Sequence, residues 1–70
     1  MRLNKEALNK VLYDEYEGNY SRFSRELGLD VAYVYRVLVK DRNCGTKFFS
    51  NVMKWCNENG SDFNEFIFLP

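Results

Sequence analysis

Gly28 constrains this chain more than any other residue. It divides residues 19–39, NYSRFSRELGLDVAYVYRVLV, into two short amphipathic segments. Glycine takes positive φ at no steric cost, so a helix can stop there and the backbone turn sharply. Phe23, Leu27, Leu29, Val34 and Val37 stand at offsets −5, −1, +1, +6 and +9 from Gly28. Phe23 and Leu27 turn one face of a first helix inward, and Leu29 fills the corner. Val34 and Val37 lay one face of a second helix on the first. Ser24, at offset −4, supplies a small side chain where the two helices cross. The pattern predicts a helix-turn-helix, a motif that can deliver its second helix to the DNA major groove.

The flanking sequence reads as further helices. Asn4 is a suitable N-cap, with Leu3 before it placed to staple onto Leu8. Leu8, Val11, Leu12 and Tyr16 recur at helical spacing until Gly18. A second helix starts after Asn19 and runs to Leu27, and a third is capped by Asp30 and runs to about Val39. Residues 40–45 read as a surface loop. Thr46 is the expected cap of a fourth helix whose Phe49, Val52, Met53 and Cys56 fall on one face, with Trp55 off that stripe. Asn59 and Gly60 stop it, and Asp62 with Glu65 forms a capping-box pattern for a short fifth helix. No strand pattern of useful length is present. The expected fold is all-α, a compact five-helix domain over residues 1–70 with its helix-turn-helix at about 20–39.

Composition excludes several function classes. A chain of 70 residues is one small domain, and a chain that short buries only about 60% of its unfolded surface. Here 17% aromatic content offsets the small volume. Histidine is absent, so Cys44 and Cys56 lack the commonest general-base partner, and no glycine-rich phosphate loop occurs. An enzyme is not expected. Two cysteines are too few for a disulfide framework and are not spaced as a metal site, so no metal or cofactor is expected. Free thiols fit the cytoplasm, and no apolar run suggests a signal peptide or approaches the roughly 20 residues of a membrane span. The formal net charge is zero, but it is unevenly spread. Residues 20–47 carry six Lys/Arg against three Asp/Glu, whereas residues 1–19 carry three against four and residues 48–70 one against three.

Residues 19–39, with the loop and helix after them, resemble the lambda-repressor-like, or Cro-type, helix-turn-helix family over most of the chain. RFSRELGLD and the later KFFSNVMKWCNENG and DFNEFIF stretches are similar to small regulators of phages and mobile elements from low-GC Gram-positive bacteria. The resemblance implies a five-helix lambda-repressor-like domain that binds operator DNA as a dimer and regulates transcription, as a repressor that works by occlusion. Three positions differ from the family pattern. Ser24 stands where alanine is commoner, and Tyr20 where many members carry a glutamine that touches phosphate or base. Val31 and Ala32 stand where polar base-reading residues are frequent, which shifts weight to apolar contacts such as thymine methyls.

On this reading Asp30, Val31, Ala32, Tyr35 and Arg36 face base edges, with Arg36 matched to guanine O6 and N7. Tyr20, Ser21 and Arg22, then Tyr33, Lys40, Arg42, Asn43 and Lys47, are the expected phosphate contacts. Leu38 is expected in the core, and Val39 has no assigned role. Phe63, Phe66, Ile67, Phe68 and Leu69 cannot all point inward from one short helix. Phe66, Ile67, Phe68 and Leu69 are therefore expected at a homodimer interface, which would set two recognition helices about 34–36 Å apart, the alternative being a tail wrapped over the first helix. Trp55 is grouped with that interface, with the core edge as its other place. The expected partners are double-stranded DNA and a second copy, with no membrane and no small-molecule ligand. Zero net charge and the apolar Val31 and Ala32 keep a second reading open: a protein-interaction module on the same fold, an antirepressor or antitoxin with weak or no DNA binding.

Overall fold

The computed structural model describes residues 1–69. Among them the chain runs β1 (Arg2–Leu3), α1 (Lys5–Tyr16), α2 (Tyr20–Leu27), α3 (Val31–Leu38), α4 (Thr46–Asn59), a 3-10 turn (Phe63–Phe66) and β2 (Ile67–Phe68). The first three helices begin where local side-chain chemistry predicts. Asn4 Oδ1 accepts from the Ala7 N–H at 3.2 Å, Asn19 Oδ1 from the Arg22 N–H at 3.0 Å, and Asp30 Oδ1 from the Ala32 N–H at 2.7 Å. Each bond satisfies one of the free donors at a helix start.

The α2–α3 corner is a Schellman turn. Gly28 has φ +70°, its N–H donates to the Arg25 carbonyl at 3.1 Å, and the Leu29 N–H donates to the Ser24 carbonyl at 2.9 Å. The corner is also held from outside: Asn51 Nδ2, on α4, donates to the carbonyls of Leu27 at 2.9 Å and Gly28 at 3.3 Å. Leu29 is buried in the corner, and Ser24 is only 1% exposed at the packed side of α2. The Ser24 Oγ has no hydrogen-bond partner.

Three expectations about the helices need correction. Thr46 is the first helical residue of α4 rather than its cap; Gly45 holds the cap position and no side chain bonds there. The inward face of α4 is Phe48, Val52, Trp55 and Cys56, while Phe49 is half-buried and Met53 exposed. Both faces are apolar, and the one carrying Phe48 and Trp55 buries the larger aromatic area. Finally, there are four α-helices among the described residues, not five. Asp62 does start a turn by accepting from the Asn64 N–H at 2.9 Å. The turn ends at Phe66, whose carbonyl accepts from the Asn4 N–H at 2.8 Å. The chain then extends as β2 antiparallel to β1, with Arg2 opposite Phe68 and Leu3 opposite Ile67.

This tail closes the core. Trp55, Phe66 and Ile67, expected at a dimer surface, are 3%, 4% and 7% exposed and belong to the interior of a single chain. Trp55 sits edge-on between Phe23 and Phe66, with ring centroids 5.9 and 5.7 Å away, and its Nε1–H donates to the Tyr16 hydroxyl at 3.2 Å. Phe68 and Leu69 remain exposed. No helix among the described residues is long and apolar enough to cross a membrane.

Candidate nucleic-acid interface

α3 has two faces. Val34, Val37 and Leu38 are buried against the other helices, while Val31, Ala32, Tyr35 and Arg36 are exposed, as is Val39 at the helix end. The outward residues follow the helical repeat, so they form one continuous surface. Val31, Tyr35 and Val39 are 42%, 43% and 44% exposed, an unusual run of apolar side chains on an outer face. Arg36 stands beside them.

Tyr35 does not stand alone. Its ring meets that of Tyr20, the first residue of α2, edge-on at 5.5 Å. Partial burial pushes the Tyr20 phenol up to about 12, helped by the neighbouring hydroxyls of Tyr13 and Tyr35. The Tyr20 phenol therefore stays neutral at any working pH. Tyr13, on α1, has its ring over Gly18, where an added Cβ would come within 3.1 Å of it. Next to Tyr20 on α2, Ser21 and Arg22 are exposed, and the Arg22 guanidinium lies 5.3 Å from the centre of the Tyr16 ring.

The loop after α3 is tied down at several points. The Gly45 N–H donates to the Tyr33 hydroxyl at 3.0 Å, and the Tyr33 ring packs edge-on against Phe48 at 5.5 Å. Tyr33, expected at phosphate, is thus an anchor between α3 and the start of α4. Lys5 Nζ pairs with Asp41 and donates to the Arg42 carbonyl at 3.3 Å, and the Arg42 N–H donates to the Arg36 carbonyl at 3.2 Å. The hydrogen bond and charge of Lys5 hold the Asp41 carboxyl below the usual carboxylate range. Lys40, Arg42, Asn43 and Lys47 are exposed along this loop and the first turn of α4.

Asp30, expected at base edges, is turned back onto its own helix as the cap of α3. Among the described residues the only ion pair is Lys5 with Asp41. Arg22, Arg36, Lys40, Arg42 and Lys47 therefore present cationic groups that no carboxylate among the described residues neutralises at contact distance. Sequence reasoning missed two supporting residues. Asn51 braces the corner and the Tyr13 hydroxyl neighbours that of Tyr20, and both act across helices, where no local spacing announces them. No protein-family model matches this chain, and neither curated proteins nor solved structures give a match.

Proposed function

We propose that this chain is a sequence-specific DNA-binding regulator of the lambda-repressor-like kind, acting in the cytoplasm as a repressor. In this reading α2, the Gly28 corner and α3 are a helix-turn-helix, and α3 enters the major groove. The observation that carries it is the outward side of α3: Arg36 unpaired, set among the free cations of α2 and of the loop. A helix that seats one apolar face in the core and leaves such a set of cations around the other is suited to a polyanion with readable edges. Arg36 reads a base, and Ser21, Arg22, Lys40, Arg42, Asn43 and Lys47 grip phosphates. Occupying the groove excludes polymerase or a competing regulator. Two copies on a palindromic site would use Phe68 and Leu69, the tail residues the core leaves exposed.

Selection of bound duplexes from a random pool tests this reading directly. The expected result is an enriched motif with twofold symmetry. Arg36→Ala should cost roughly 1–3 kcal/mol and relax the preference at one position, whereas Lys40→Ala should weaken all duplexes alike and reduce the salt slope by about one. A pool that yields no preferred duplex at low salt overturns the proposal. The exposed apolar side chains of α3 would then favour the second reading, a protein-interaction module.

A further inference from the structure

We infer that Val31, Tyr35 and Val39 form an apolar strip that reads thymine methyl groups, with Tyr20 as the residue that positions Tyr35. The inference rests on the DNA-binding reading above and names the duplex it takes: one with thymines beside the base pair contacted by Arg36.

The three side chains lie four residues apart on one side of α3, and each is more than two fifths exposed. At the helical rise they span about 12 Å, the length of three to four base pairs. An apolar strip of that length needs an apolar counterpart. In the major groove every base pair shows donors and acceptors, and the thymine methyl is the one apolar group. The surrounding charge selects the polyanion over a protein as the occupant: Arg22, Arg36, Lys40, Arg42 and Lys47 have no carboxylate partner among the described residues. Between them, cations would hold phosphates on either side while the strip faces base edges.

Tyr20 has a part in this that differs from a phosphate contact. Its ring abuts the Tyr35 ring at 5.5 Å and 66°, so it limits where Tyr35 can swing. Its own seat is fixed, because its ring packs against the core. The neutral phenol brings no negative charge near the phosphates.

The test is made on the DNA, so it does not depend on a variant that folds. In a duplex recovered from the random pool, each thymine is replaced in turn by deoxyuridine, which removes one methyl group and leaves every hydrogen-bonding group in place. At one or more positions binding should weaken about fourfold, the share of one buried methyl. Tyr35→Ala should bind the thymine and uracil duplexes equally at the position it reads. Tyr20→Ala should bring that ratio close to one, while Tyr20→Phe, which keeps the ring, should preserve it. Arg36→Ala should also preserve it while losing affinity overall. If no thymine in a selected duplex is sensitive to this change, the strip is not a methyl reader, although the DNA-binding reading stands. If Tyr20→Ala leaves the ratio unchanged at a sensitive position, Tyr20 does not position Tyr35. If no duplex is preferred at all, both readings fail and the strip belongs to a protein contact.

Discussion

Two aromatic groups share α2 and have opposite fates. Tyr16, Phe23, Trp55 and Phe66 form a buried chain of tilted and edge-on rings, with neighbouring centroids 5.0, 5.9 and 5.7 Å apart. Tyr13, Tyr20 and Tyr35 form a second group on the outside, where Tyr13 and Tyr35 remain 59% and 43% exposed. Residue type does not separate them, since tyrosine occurs in both. Coverage does. The tail lays Phe66 over Trp55 and is held there by Asn4, whose N–H bonds the Phe66 carbonyl and whose Nδ2 bonds the Glu65 carbonyl at 3.2 Å. Among the described residues nothing covers the outer face of α3, where Val31, Tyr35 and Val39 stay exposed. One group therefore holds the fold together, while the other is left available to meet a partner.

Substitutions in the two groups should part accordingly. Phe23→Ala removes a fully buried ring at the centre of the first group and should cost about 3–5 kcal/mol. That is a large part of the stability of a small domain. Denaturant unfolding followed by Trp55 fluorescence would measure it, and a loss under about 1 kcal/mol would break the contrast. Tyr16→Phe keeps the ring but leaves the buried Trp55 N–H without its acceptor, a loss of about 1–3 kcal/mol in the same titration. Ser24→Ala should move the other way. It removes a buried hydroxyl that has no partner and replaces it with a better helix former, so stability should rise by about 1 kcal/mol. Tyr35→Ala, in the outer group, should change stability least, by under about 1 kcal/mol, the range of one exposed aromatic pair. Its effect should fall on DNA affinity instead. If Tyr35→Ala unfolds the protein, the outer group is part of the core after all.

Legibility from sequence followed the range of the interactions. The caps Asn4, Asn19 and Asp30 lie where the sequence places them, because a cap is a bond between residues two or three apart. The Gly28 turn is equally local. The α4 face was misjudged because Phe48 and Phe49 are neighbours of the same type, and periodicity alone cannot choose between two apolar stripes. The choice was made by Tyr33, which packs on Phe48, and by Phe23 and Phe66, which close on Trp55, all arriving from elsewhere in the chain. Tyr33 was read as a contact for a partner, yet it is engaged within the chain by Gly45 and Phe48. Its place in a helical pattern says nothing of what a neighbouring helix or loop will take up.

By itself, then, the sequence determined the helices as far as α3, the corner at Gly28 and the concentration of positive charge between residues 20 and 47. Each depends on bonds or charges close together along the chain. Only the tertiary structure decided that Trp55, Phe66 and Ile67 turn inward, that the tail ends as a strand against Arg2 and Leu3, and that Tyr20 backs Tyr35. These outcomes depend on which apolar surfaces exclude the most water when the whole chain closes. That competition is settled between segments far apart in sequence.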